Sequence, residues 1–143
     1  MKPVSSLPVL LLGLCFALGA CVATERTLQP IAAAAGLTSQ ISDRLYLGRS
    51  IPAGGTVSDQ AWAAFLAGVV TPRFPRGFTV WPAEGQWKET SGTITRESSC
   101  VLELIHPVDA ATDRAVREIA DDYKRRLSQE AVLLVRTLVE AGF

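Results

Sequence analysis

Apolar side chains recur at Trp62, Phe65, Leu66, Val69 and Val70, the i, i+3, i+4, i+7, i+8 spacing of one helical face. Ser58 stands where an N-cap accepts a free backbone N–H, and Asp59 puts a negative charge in the first turn. Val57 and Trp62 are spaced as a hydrophobic staple, which places Trp62 between helix and sheet, and Pro72 is expected to stop the helix. A second stripe, Val116, Ile119, Ala120, Tyr123 and Leu127, predicts a helix capped by Asp109 or Thr112 and ending near Ser128. Its other face sets opposite charges four apart, as in Asp113 with Arg117 and Asp122 with Arg126, the pattern of a solvated face.

Between and beside these helices the period changes to two. Leu45 and Leu47 alternate with Arg44 and Tyr46, a half-buried strand that ends in the loop from Ile51 to Gly55. Phe78 to Trp81 predicts a second strand, which Pro82 and Gly85 bend or interrupt before Gln86-Trp87-Lys88. Ser91-Gly92 is a hairpin signal, Thr93 to Glu97 returns, and Ser99 to His106 is the strongest strand, closed by Pro107. Val132 to Val135 makes the last. The resulting order is β-α-β-β-α-β, an α+β, ferredoxin-like arrangement with two helices on one face of an antiparallel sheet. The opposite face is then solvated, covered by the preceding tether, or used for dimerisation.

Ahead of this domain lies a different pattern. Lys2 precedes an apolar run from Val4 to Ala17, too short for a spanning helix of about 20 residues, and Leu18-Gly19-Ala20-Cys21 follows. This resembles a bacterial lipobox: residues 1–20 are expected as a lipoprotein signal peptide, Cys21 as the acylated mature N-terminus, and 21–40 as an alanine-rich tether. Residues 41–143 are then a single α+β domain. Cys15, the rival acceptor, follows the bulky Leu14. Val22, not aspartate, comes after Cys21, which resembles outer-membrane sorting. The expected location is the cell envelope, lipid-anchored at the outer membrane and facing the periplasm.

Charge narrows the function. The chain has 14 Lys and Arg against 14 Asp and Glu, without a basic run, which argues against nucleic acid. With Cys15 removed and Cys21 acylated, Cys100 is alone, so no intramolecular disulfide forms. One histidine, His106, leaves no metal-binding cluster, and no phosphate loop, dinucleotide fingerprint or nucleophile elbow calls for a cofactor.

Several blocks carry a resemblance. They are Arg44-Leu45-Tyr46-x-Gly48, Val57-Ser58-x-x-x-Trp62-x-x-Phe65, Val70-Thr71-Pro72-Arg73-Phe74-Pro75-x-Gly77-x-Thr79-Val80, Gly85-Gln86-Trp87, Arg96-Glu97, His106-Pro107 and Gln129-Glu130. Together they resemble the bacterial family known as domain of unknown function 3574, small secreted proteins and lipoproteins. The resemblance implies a class without a reaction. Cys100 stands where a lysine is common in that family; if the lysine serves a ligand, this chain lacks that role.

Side-chain alternation suggests where chemistry sits. With Leu45, Leu47, Leu133 and Val135 assigned to the helix-covered face, the open face receives Arg44, Tyr46, Leu134 and Arg136, with Trp81 and Glu103 beside them. Arg44, Tyr46, Trp81, Glu103 and Arg136 form a candidate ligand site with aromatic walls, two cations and a carboxylate, suited to a small polar or anionic ligand. The bland alternative is a sheet face packed on a partner, with Arg and Glu paired. Gln86, Trp87, Arg96 and Glu97 form a second group on the hairpin, where Glu97 reads as an ion pair with an arginine or as a general base. Cys100 and His106 lie about 20 Å apart along one strand, too far for a dyad, so no catalytic residue is assigned. The expected function is a non-enzymatic module for a small ligand or an envelope protein. The alternative is a small enzyme with its site on the open face, completed by a dimer.

Replacing Cys21 with serine is expected to abolish acylation and release the chain from membranes, because two or three acyl chains supply the anchor at roughly 0.8 kcal/mol per buried CH₂. Membrane fractionation after a high-salt wash checks this; retention of Cys21→Ser in the pellet would refute the lipobox reading.

Overall fold

The computed structural model describes residues 36–142; the signal segment, Cys21 and most of the tether lie outside the described residues. The chain runs through β1 (Thr38–Gly48), α1 (Asp59–Phe65), β2 (Thr79–Lys88), β3 (Ile94–His106), α2 (Ala110–Arg126) and β4 (Leu133–Ala141). A π-helical segment, Leu66–Val70, and a last α-helical turn, Thr71–Arg73, prolong α1. The strands form one antiparallel sheet in the order β2-β3-β1-β4, so β3 lies between the two strands that α1 connects. The expected β-α-β-β-α-β succession is the one observed.

Both helical stretches pack on one sheet face. Leu45, Leu47, Leu102 and Leu104 are fully buried there, under Phe65, Val69 and Val70 from the first helical stretch and Val116, Ile119 and Tyr123 from α2. Each such side chain contributes roughly 1.5–3 kcal/mol when removed from water. Trp62 lies at the margin of this core and is half-buried, not enclosed as expected. It stacks on Phe65 at 6.1 Å and meets Tyr123 edge-on at 6.2 Å.

Several boundaries differ from the sequence pattern for identifiable reasons. β1 begins inside the expected tether, where Thr38, Ser39 and Gln40 pair with Ala141, Glu140 and Val139. Those residues are polar because they lie at a sheet end, beyond the helices. Pro72 does not stop the helix. The preceding π turn bonds the Thr71 N–H back to Leu66 C=O, widening the ladder where a proline ring would otherwise crowd it. Pro82 does not interrupt β2 either, because β2 is an edge strand and needs no donor on its outer side. β4 continues to Ala141, well past Val135, through the polar residues Arg136, Thr137 and Glu140.

The charged face of α2 is only partly solvated. Asp113 pairs with Arg117 at 2.8 Å and Asp122 with Arg126 at 3.4 Å, as the spacing predicts. Asp122, however, is buried and also holds Arg73 at the end of the first helical stretch, at 3.1 Å. Asp109, not Thr112, caps α2, accepting from the N–H groups of Ala111 and Thr112.

At its other end α2 closes by donation from Gln129 N–H to Lys124 C=O at 3.0 Å, across Ser128. Ser128 has φ +54°, the left-handed conformation that glycine adopts without penalty. Ser128→Gly is therefore expected to stabilise the domain by about 0.5–1 kcal/mol in urea denaturation. Destabilisation would mean that the serine side chain makes an interaction worth more than its backbone strain.

Candidate functional site

The cross-strand register determines which predicted site residues meet. Leu133, Tyr46, Val101 and Trp81 form one row across the open face, and Val135, Arg44, Glu103 and Thr79 form the next. Arg44, Tyr46, Trp81 and Glu103 therefore share the open face. Arg136 does not. It pairs with Asp43, on the opposite face from Arg44, and its row mates there are Asp43 and Leu104. The assignment of Leu133 and Val135 to the covered face is reversed for the same reason. Val132 to Val135 is apolar at every position, so it carries no alternation, and only pairing with β1 sets its faces.

Arg136 is drawn to the covered face by a buried carboxylate. Asp43 is fully buried at the parity of Leu45 and Leu47. Arg136 donates to it twice, from Nε at 2.8 Å and Nη2 at 2.6 Å, and to Asp113 of α2 at 2.6 Å. His106, also buried, donates from Nε2 to Asp43 at 3.0 Å, since a carboxylate only accepts. Its Nδ1 lies 2.9 Å from Pro107 C=O and 3.1 Å from the Thr112 hydroxyl. Burial pushes the Asp43 pKa up, but the hydrogen bonds and charges of Arg136 and His106 outweigh it and leave it below the ordinary 3.8. His106 is thus a structural histidine, and Arg136 a structural arginine.

The remaining four residues do not converge on one cavity. Arg44 is paired with Glu103 at 2.9 Å, and Ser42 donates to the same carboxylate oxygen. Glu103 lines a cavity of about 600 Å³ at the sheet end, together with Phe74, Phe78 and His106. Its polar groups are largely engaged: Arg73 by Asp122 and Glu118, His106 by Asp43. Tyr46 lines a separate cavity of about 260 Å³, and Arg44 and Trp81 line neither.

The smaller cavity gathers the richer chemistry. The β2–β3 hairpin reaches the α2–β4 loop, where Glu130 accepts from Thr90 N–H and Oγ1, both at 3.1 Å. Beneath this contact lie Tyr46, Trp87, Glu97 and Gln129. Glu97 is held by the backbone N–H of Ser50 at 3.1 Å, not by an arginine, and Gln129 donates to Ser50 C=O at 3.0 Å. The Glu97 carboxylate occupies the space a side chain at Gly48 would need: a Cβ there would stand 2.6 Å from both its oxygens. The Tyr123 hydroxyl supports Gly48 from behind, donating to its C=O at 2.8 Å. The lining includes four glutamates, Glu84, Glu89, Glu97 and Glu130, and no lysine, arginine or histidine. Alternation placed Glu97 and Trp87 on the hairpin; what it could not show is that the hairpin brings them to Tyr46.

Cys100 is half-buried on the covered face beside Leu47, and burial raises its thiol pKa, so it behaves as a small core residue. Among the described residues no helix is long and apolar enough to cross a membrane.

Comparison with known proteins agrees with this architecture. The model of the family described as "Protein of unknown function (DUF3574)" matches residues 42–143. No curated protein matches the chain. Among solved structures, a phage SAM lyase in complex with S-methyl-5'-thioadenosine is similar, with TM-score 0.59 and 14% identity over 71% of this chain and 88% of that one. The phage SAM lyase in its apo state aligns with TM-score 0.54 and 12% identity, over 73% and 92% of the two chains. At these identities the likeness is one of fold.

Because Asp43 is buried, Arg136→Ala is expected to cost about 3 kcal/mol, the scale of leaving a buried charge short of its partner. Asp43's folded pKa is lowered, so its contribution is complete above about pH 4 and is lost as pH falls through the folded value. The deficit of Arg136→Ala should therefore be largest near neutrality and shrink in acid, read by urea titrations across pH. A pH-independent loss under about 0.5 kcal/mol would contradict this assignment.

Proposed function

Since the chain belongs to the DUF3574 family, for which no activity is established, we propose its role from the site: an envelope lipoprotein, anchored through Cys21, whose domain binds a small cationic organic ligand in the hairpin cavity. The observation that carries this reading is the lining of four glutamates without a basic residue, beside Trp87 and Tyr46. Carboxylates attract a cation, and an indole or phenol face adds cation–π attraction. The cavity of about 260 Å³ suits a ligand smaller than a drug-sized molecule. Arg136 lies on the covered face, so the open face lacks the second cation that an anionic ligand would need. The Leu18-Gly19-Ala20-Cys21 motif and Val22 after it support an outer-membrane, periplasm-facing location.

A second reading is an enzyme. It is favoured by the fold shared with phage SAM lyases: SAM is a sulfonium cation, and the cavity has the charge and the size to take its sulfonium end but not the whole molecule. Binding and conversion differ in one assay: incubation with SAM followed by chromatography shows either unchanged SAM or a cleaved product.

Isothermal titration with tetramethylammonium, SAM and S-methyl-5'-thioadenosine tests the site. The cations are expected to bind, with Glu97→Gln weakening them roughly 10-fold by removing one carboxylate's coulombic attraction, since a quaternary ammonium or sulfonium centre donates no hydrogen bond. Trp87→Ala should weaken them further while Glu118→Gln, on the far side of α2, has no effect. Equal binding by wild type and Glu97→Gln, or binding of the neutral S-methyl-5'-thioadenosine in preference to the cations, would overturn the proposal.

A further inference from the structure

The sheet face left open by the helices presents apolar side chains around one pair of opposite charges, Arg44 with Glu103. Leu133 is 55% exposed, and Tyr46 and Trp81 each 37%. Val101 is buried between Tyr46 and Trp81, and exposed apolar side chains clustered on one face in this way mark an association site. We propose that it receives a second copy of this chain, face to face about a two-fold axis parallel to the strands and midway between β1 and β3.

Charge complementarity selects this occupant and this axis. The sheet order β2-β3-β1-β4 has two strands on either side of that line. The rotation lays β1 of one copy over β3 of the other, and β4 over β2. Arg44 of each copy then meets Glu103 of the other, Tyr46 meets Val101, and Leu133 meets Trp81. The two intrachain Arg44–Glu103 pairs become a closed quartet with alternating signs. An axis drawn through β1 instead would stack Arg44 on Arg44 and is disfavoured. The same patch is thus complementary to itself, the condition for a closed two-fold dimer. Aligned sheet packing has the spacing for it, about 10 Å between sheets. Tyr46 and Leu133 also line the hairpin cavity, so the second copy reaches its rim. This inference stands on the open face and does not depend on the ligand proposed above.

Cysteine cross-linking of the full chain tests the geometry. Trp81 and Leu133 of one chain are three strand spacings apart, about 14 Å, whereas the facing positions of the two copies are separated by the sheet spacing of about 10 Å, itself too far for a disulfide. A short bifunctional thiol reagent that spans the smaller distance and not the larger is therefore expected to join the variant carrying both Trp81→Cys and Leu133→Cys into a covalent dimer. Neither single variant should do so, nor a control pair on α2, Glu118→Cys with Arg125→Cys. In sedimentation, Arg44→Glu should raise the dimer dissociation constant at least about a hundredfold by setting Glu against Glu. Arg44→Glu combined with Glu103→Arg should restore it. A wild-type chain that stays monomeric overturns the proposal. So does equal cross-linking of the control pair, a folded Arg44→Glu that remains dimeric, or a Trp81→Cys cross-link formed only with a different protein.

Discussion

Asp43 is the point on which the fold turns. A fully buried carboxylate cannot stay charged in an apolar core without partners, and this one draws them from two other strands. His106 reaches it from the end of β3, and Arg136 from β4. Arg136 carries the link on to Asp113 at the start of α2. Among the described residues no buried side-chain nitrogen or oxygen lacks a partner, so this polar centre is satisfied within the chain. Its energetic value lies in specificity as much as in strength: any other register of β4 would leave Asp43 buried and short of a cation.

That constraint shapes the two surfaces with functional interest. By taking Arg136, Asp43 leaves Arg44 as the cation of the two central open-face rows, matched by Glu103 beside it. Apolar Leu133 and Val135 are turned outward in its place. The acidic cavity next to this face is held by a separate set of contacts: Glu130 ties the hairpin tip to the α2–β4 loop, while Glu97 and Gln129 grip the two backbone groups of Ser50. The sheet is thus sealed by packing and buried charge on one side. On the other it offers an apolar face and a carboxylate-lined hollow.

Much of the scaffold is legible in the sequence because its periodicities are unmixed. The stripes through Phe65 and Val69 and through Val116, Ile119 and Tyr123 are where the core is found. The alternation of Leu45 and Leu47 with Arg44 and Tyr46 gives the faces of β1 correctly. Failure occurs where alternation is absent. Val132 to Val135 is apolar throughout, so the side on which Arg136 emerges depends on a pairing partner ninety residues away. A usable signal did exist: Asp43 shares the parity of Leu45 and Leu47, and a carboxylate on a core face requires a cation. The cavity was less accessible still. Glu97, Trp87 and Tyr46 come from three separate stretches of chain, and only the reach of the hairpin assembles them. Pro72 is tolerated within the helical stretch because its missing donor is harmless beside a π turn, which has no local sequence signature.

The most direct test of this account is a double-mutant cycle between Asp43 and Arg136, with Asp43→Asn, Arg136→Gln and the double variant compared by urea denaturation at neutral pH. A coupling of about 2 kcal/mol or more is expected for a buried, doubly hydrogen-bonded ion pair. A coupling near zero would place Arg136 away from Asp43, reverse the faces of β4, and contradict the surfaces described above.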